Sequence, residues 1–302
     1  MKYIYDDLVD KNILITGGAG FIGSNLALYF QKHHPGANVC VFDKFRDDTY
    51  FPSGNPTSLG HFKNLLDFRG EVIVGDLTKD LNKLKGRDFD YIFHQAAISD
   101  TTAMDQKLML ETNFEAFVKL YEIAKQSGAM LIYASSAGTY GNSSAPNIVG
   151  VGEVPENIYG YSKLQMDIFT RQVLAQDSEI PLIGLRYFNV YGEQLRDFVY
   201  IKDVIQANVK AIEASASGVY NVGSGKARSF NDIINELKRH LGDFEVEYID
   251  NPYTFYQNHT QADIALSQEF LSYTPRFSLE QGIESYIPEI LNIFNTQMHK
   301  KA

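Results

Sequence analysis

Short, almost wholly apolar runs recur along the first two thirds of the chain, and several lead into stretches with helical spacing. "NILI" (12–15) leads into "TGGAGFIG" and then "SNLALYFQKHH", where Leu26, Phe30 and their neighbours recur at helical spacing. "NVCVFD" (38–43), "EVIVGD" (71–76), "DYIFHQAA" (90–97), "MLIYASS" (130–136) and "PLIGLRYFN" (181–189) predict five further strands. "KLMLETNFEAFVKLYEIAKQS" (107–127) predicts a long amphipathic helix stopped at Gly128, and "YGYSKLQMDIFTRQVLA" (159–175) predicts another. Strands apolar throughout, alternating with helices, imply a parallel sheet covered on both faces: a doubly wound α/β (Rossmann) fold.

The tail changes character. "GVYNVGSG" (218–225) predicts one more sheet strand, and "SFNDIINELKRHL" (229–241) a helix capped by Ser229. "FEVEYID" (244–250) predicts a short strand and "SLEQGIESYIPEILNIF" (278–294) a last helix. The expected organisation is a dinucleotide-binding domain over 1–190, to which 203–222 returns, and a smaller C-terminal α/β substrate lobe from 191–202 and 223–302.

Composition narrows the function. A chain of 302 residues suits one large domain plus a lobe. A net charge of −10 with no long basic run argues against nonspecific partners such as nucleic acid or an anionic membrane. Cys40 is the sole cysteine, so no internal disulfide forms, and its apolar run predicts a buried, inert thiol. The start, "MKYIYDDLVDKN", has no apolar core, and no apolar run approaches transmembrane length; the expectation is a cytoplasmic protein. The seven histidines show no metal-ligand spacing, and no G-x-S-x-G is present.

"GGAGFIG" places glycines at 17, 18, 20 and 23, between a strand and a helix. Such glycines permit a tight turn and let the backbone approach a pyrophosphate resting on the helix N-terminus. A glycine turn alone often has only a structural reason. Asp43, however, ends the next strand 20 residues after Gly23, where an acid binds a ribose 2′-hydroxyl. Gly17, Gly20, Gly23 and Asp43 thus predict a dinucleotide site. Lys44 and Arg46 follow at once and suit a 2′-phosphate, or are solvated loop charges; NAD and NADP both stay open. Asp76 and Leu77 are placed to meet the adenine, though Asp76 could equally cap a helix.

Tyr159 and Lys163 stand four apart on a predicted helix, hence on one face. A phenol ionises near pH 10 and is a poor base at neutrality. An adjacent ammonium and a positive nicotinamide ring favour the phenolate. Ser136, ending the fifth strand, is placed to hydrogen-bond the reacting hydroxyl. Tyr161 faces elsewhere on the helix and reads as packing, and His94 reads as a satisfied core histidine.

Together "TGGAGFIGS", "HQAA", "YASSAGTYG", "YGYSK", "RYFNVYG" and "RDFVYIKDV" resemble the extended short-chain dehydrogenase/reductase family over almost the whole chain. Within it, "HQAAISDTT" and the late "YQNHTQAD" make the sequence most similar to the ADP-L-glycero-D-manno-heptose 6-epimerases. The resemblance implies epimerisation of a nucleotide sugar through a transient ketone, with bound NADP⁺, for the lipopolysaccharide inner core. It implies Tyr159 as acid/base, Lys163 as its tuner and holder of the nicotinamide ribose, and Ser136 as assistant. It places Phe21, Ile22, Asp43, Lys44, Gln95, Ala96, Ala97, Ile98, Ser99, Asn113 and Val190 around the cofactor. Asn189, Arg196 and Tyr256 become substrate contacts, though Arg196 could instead pair with loop acids. Asp203 is expected to cap the helix that follows it. The resemblance also implies a homo-oligomer, a pentamer among the options.

One departure stands out. Only "EQL" separates Gly192 from Arg196, where family members carry a longer segment including a lysine that resembles a second acid/base. Either the protein has lost that segment, or a loop is missing from the chain as written. The intact flanking motifs favour the second explanation. A UDP-hexose 4-epimerase shares nearly every other part and needs no second base. A 4,6-dehydratase lacks support, because Ala137 and Gly138 stand where its Asp-Glu pair is expected. A non-catalytic dinucleotide sensor commonly loses the tyrosine or the lysine, and both are present here.

Overall fold

The computed structural model describes residues 1–4, 7–176, 178–188, 196–247 and 259–298. Its centre is a seven-stranded parallel sheet ordered β3-β2-β1-β4-β5-β6-β8. The strands are β1 (Asn12–Thr16), β2 (Asn38–Asp43), β3 (Glu71–Val74), β4 (Tyr91–His94), β5 (Met130–Ser136), β6 (Leu182–Tyr187) and β8 (Gly218–Val222). Between the last two lies β7 (Arg196–Asp197), which pairs antiparallel with β9 (Ala227–Arg228) outside this sheet. This is the doubly wound, Rossmann-like architecture expected.

Except at the edge strand β3, where Val72 and Val74 are 42% and 60% exposed, the continuous apolar runs are explained by burial on both faces, because successive strand residues point to opposite sides. Ile13 and Ile15 of β1 pack beside Leu26 and Phe30 of α1 (Phe21–His33) and Ile205 and Val209 of α5 (Ile201–Lys210). Leu14, between them, faces Phe117 and Leu120 of α3 (Ala116–Ser127) and Met166 of α4 (Ile158–Leu174). Each fully buried side chain of this size contributes about 1.5–3 kcal/mol. Cys40 lies in the second layer, and burial pushes its thiol up to about 12, as an inert core residue requires.

Several local expectations are corrected. The helix expected over 107–127 is α2 (Gln106–Leu110), a π-helical turn (Glu111–Glu115) and then α3, which Gly128 does end, in the left-handed conformation. Asp203 does not cap a helix starting at Val204. Helix α5 begins at Ile201, and the Asp203 carboxylate instead accepts the backbone amides of Arg276 and Phe277 at 3.0 and 3.1 Å. Residues 244–247 form no strand; the rest of that predicted strand lies outside the described residues. Tyr161 is not a core residue: it is 44% exposed.

Elsewhere in the tail the helices expected over 229–241 and 278–294 are present, and a short helix over Ala265–Leu271 lies between them that the pattern does not predict. α6 (Phe230–Leu241) starts with a capping box between Ser229 and Asp232, and α7 (Ala265–Leu271) and α8 (Leu279–Met298) follow. Among the described residues no helix is long and apolar enough to cross a membrane.

Candidate active site

The strand order reverses direction at the β1/β4 boundary, which opens a crevice beyond the carboxyl ends of the strands. The glycine turn sits there. Gly17 takes φ +69°, donates its amide to Phe42 O at 2.8 Å, and would bring a Cβ within 2.6 Å of Ala96 N. A Cβ on Gly23 would strike Gly17 O. Both positions therefore require glycine: the first for its left-handed φ, the second for the contact of α1 with the turn. Helix α1 begins after Gly20 with no side-chain cap, so its first amides remain available to an anion. Phe21 at the helix start is 55% exposed, whereas Ile22 packs against the core.

Asp43 closes the floor of this cradle. Its carboxylate accepts Ala19 N at 2.9 Å and Phe45 N at 2.7 Å. Burial pushes its acid group up and the two amides oppose this; lone pairs remain on both oxygens for ribose hydroxyls. Lys44 and Arg46 are exposed on either side of Phe45, which itself takes φ +60°. Asp76 folds back on its own turn, accepting Thr78 N and Oγ1 at 2.8 and 2.7 Å, and Leu77 is buried beside Phe42. The side chain of Gln95 points away from the crevice: it donates to Asn208 Oδ1 and accepts from Tyr187 Oη, both at 3.0 Å. Ala96, Ala97, Ile98 and Ser99 continue along the crevice. Asn113, in the π-helical turn, clamps Ile98 through both backbone atoms at 2.8 and 3.0 Å and reaches Ser162 Oγ at 3.0 Å.

The acid–base residues converge at the end of β5. Asn157 caps α4 by accepting Gly160 N at 2.8 Å, which sets Tyr159 in the first turn. Ser136 faces the Tyr159 phenol and accepts Gly138 N at 3.0 Å. The Tyr159 ring packs on Phe51, Ile98, Ala103 and Met109. Lys163 is buried, donates to Ala134 O at 2.8 Å, and holds its ammonium 5.9 Å from the centre of the Tyr159 ring.

The electrostatics modify the expected tuning. Burial pushes the Tyr159 phenol above its usual value and the Ser136 hydroxyl opposes this. Lys163 is brought down to about 8 by burial, with Asp167 opposing. The chain alone therefore does not make the phenol acidic, and the remaining stabilisation of a phenolate falls to a cation in the crevice. His94 is buried with Nδ1 2.8 Å from Thr16 Oγ1, while Nε2 has no partner; burial lowers it to about 3, so it is neutral and not fully satisfied.

The cradle a Cβ would fill, the uncapped helix and Asp43 fit a dinucleotide. Residues 13–194 and 192–223 match the NAD dependent epimerase/dehydratase family, more than half of the chain. The chain belongs to this family. The two matched pieces meet at the short Gly192–Arg196 join. Among solved structures, ADP-L-glycero-D-manno-heptose-6-epimerase of Helicobacter pylori is 51% identical, with TM-score 0.87, over 96% of this chain and 99% of that one. UDP-glucuronic acid 4-epimerase of Bacillus cereus, in complex with UDP-glucuronic acid and NAD, is 27% identical with TM-score 0.77, over 92% and 99%. UDP-N-acetylglucosamine 4-epimerase of Methanobrevibacter ruminantium is 25% identical with TM-score 0.79, over 93% and 99%.

The far side of this epimerase site is only partly described. Asn189, Val190 and Tyr256 lie outside the described residues. Arg196 is buried in β7, paired in register with Arg228. The neighbouring Asp197 was missed in the sequence, and nothing local marks it. Its buried carboxylate accepts Ser224 N at 2.6 Å, Gly225 N at 2.8 Å and Ala262 N at 3.0 Å, tying two distant segments to β7. With Asp203 on 276–277, this gives "RDFVYIKDV" a structural reason to persist whatever the length of the join before it.

Proposed function

We propose that this protein is an NADP-dependent ADP-glyceromanno-heptose 6-epimerase, interconverting ADP-D-glycero- and ADP-L-glycero-D-manno-heptose for the lipopolysaccharide inner core. The observation that carries this reading is the Ser136–Tyr159–Lys163 set at the mouth of a dinucleotide crevice, in a chain half identical to a heptose epimerase. Gly17, Gly20 and Gly23 would hold the pyrophosphate and Asp43 the adenosine ribose. Exposed Lys44 and Arg46 favour a 2′-phosphate, although NAD would also fit. Asp76, Leu77, the Gln95–Ser99 segment, Asn113 and Val190 would line the remainder, and Lys163 would reach the nicotinamide ribose. The bound nicotinamide supplies the hydride acceptor and donor for the sugar carbon.

The chain supplies the proton chemistry. Ser136 orients the sugar hydroxyl, Tyr159 as phenolate takes its proton, and Lys163 stabilises that phenolate. The proton returns to the same oxygen when the ketone is reduced. Asn189, Arg196 and Tyr256 are assigned to the nucleotide sugar. Residues 1–190 with 203–222 form the cofactor domain, and 191–202 with 223–302 the substrate lobe. We assign the enzyme to the cytoplasm as a homo-oligomer, with a pentamer as one arrangement.

The short join favours a second reading, a UDP-hexose 4-epimerase, since a flat ketone turning over in the pocket needs no second base. Assays of the purified protein with ADP-heptose, UDP-glucose and UDP-galactose separate the two. Conversion of ADP-heptose in preference to either UDP-hexose is expected. Turnover of UDP-hexoses alone would transfer the assignment, and no turnover of any would remove it.

A further inference from the structure

Behind the acid–base set lies a buried ionic network that the reaction scheme does not use. Asp167 stands one helical turn beyond Lys163 on α4 and is fully buried. Its two oxygens accept Tyr133 Oη at 2.8 Å, Ser135 Oγ at 2.9 Å and Arg186 Nε at 2.7 Å, and Arg186 Nη2 lies 2.7 Å away. Ser135 is flanked by Ala134, whose carbonyl receives Lys163, and by Ser136, which meets the phenol. Asp167 thus grips the strand end from which two parts of the site are hung.

We propose that Asp167 is the positioning residue of this site, holding the end of β5 against α4 and supplying the negative charge that keeps Lys163 an ammonium. This rests on the reading of Lys163 given above. The titratable and charged groups that face Lys163 or Asp167 come from four elements. On α4 they are Tyr159 and Asp167. From β4 comes His94, which is neutral, and from β5 comes Tyr133, whose phenol burial holds well above its ordinary value. From β6 comes Arg186, whose guanidinium faces Asp167 and, at 2.7 Å, Glu153. Glu153 is taken up by Arg186 and Arg171, and Asp167, one turn from Lys163 on the same helix, is the group that opposes the loss of charge that burial imposes on Lys163.

The test reads Lys163 directly and without substrate, so an inactive protein would count against the proposed reaction and not against this inference. The protein is labelled with [ε-¹³C]lysine, and the Lys163 signal is assigned by its loss in Lys163→Gln. The wild-type titration is expected near 8. Asp167→Asn removes the anion that opposes the effect of burial on Lys163, so the midpoint is expected to fall by about one pH unit or more. Asp167→Glu keeps the charge and is expected to titrate near the wild type even if it melts earlier. Where Asp167→Asn does not fold, Asp167→Asn with Arg186→Gln removes the pair together, a change buried ion pairs tolerate better than loss of one partner. Its midpoint is expected below the wild type by a smaller margin. A Lys163 midpoint unchanged in whichever of these variants folds overturns the proposal, as does a fall of equal size in Asp167→Glu.

Discussion

Tyr159→Phe is expected to lower turnover by about 10²–10⁴-fold, the contribution of a positioned acid/base, while leaving cofactor binding intact. The separation is expected because the phenolic oxygen meets Ser136 at the end of β5, whereas the cradle at Gly17 and Gly23 and the Asp43 carboxylate belong to β1, α1 and β2. Removing one oxygen from a ring that stays packed on Phe51, Ile98, Ala103 and Met109 changes little else. The check is a comparison of rate constants with nucleotide content per chain. Full activity in this variant, or loss of nucleotide along with activity, would contradict the assignment. Tyr161, two positions on and exposed, gives the control: Tyr161→Phe is expected to be neutral.

Arg186→Leu is expected to cost about 3–5 kcal/mol of stability, the range for breaking a buried ion pair by removing one partner. Arg186 has no solvent exposure, binds Asp167 and Glu153 at 2.7 Å each, and lies 4.8 Å from the centre of the Tyr140 ring. Leucine leaves Asp167 buried without its ion-pair partner and Glu153 with Arg171 alone, at 2.6 Å. Burial would raise the Glu153 carboxyl, but Arg171 and Arg186 outweigh it and hold the group at about 2. With a folded value below the usual one, the stabilisation from this carboxylate is full above about pH 4.5 and is lost as pH falls towards about 2. Against a total of about 5–15 kcal/mol for a typical domain, the Leu variant should show a clear loss in urea unfolding. A change under about 1 kcal/mol would show that the network is not stabilising in the way described.

Much of the site was legible because its parts are local. The turn at Gly17–Gly23, the acid at Asp43, and the i,i+4 spacing of Tyr159 and Lys163 each announce their geometry within a few residues. What escaped depends on contacts distant in sequence. Asp203 reads as a helix cap because acids near helix starts usually are caps, yet its partners are the amides of Arg276 and Phe277. The side-chain partners of Gln95, Tyr187 and Asn208, are likewise distant in sequence, and its place in the motif does not announce them. The π-helical turn that turns Asn113 onto Ile98 leaves no mark on a hydrophobic pattern that suits one continuous helix. The i,i+4 spacing, with a positive nicotinamide ring, predicts a lowered Tyr159 phenol. The folded site shows burial acting on both groups, upward on the phenol and downward on the ammonium.

The intact "RDFVYIKDV" motif, read alone, favours a longer segment before it. Asp197 and Asp203 give the motif work of its own in tying down 224–225, 262 and 276–277. Its persistence therefore no longer bears on the length of the join.

The central claim is that a carbon-bound hydrogen of a nucleotide sugar leaves as hydride and returns to the opposite face within one site. Turnover of ADP-heptose carrying deuterium at C6, in ordinary water, tests this directly by mass spectrometry of the product. The account predicts that the deuterium is retained in the epimerised sugar. Its replacement by hydrogen from solvent would mean that the carbon loses a proton instead, and would contradict the account.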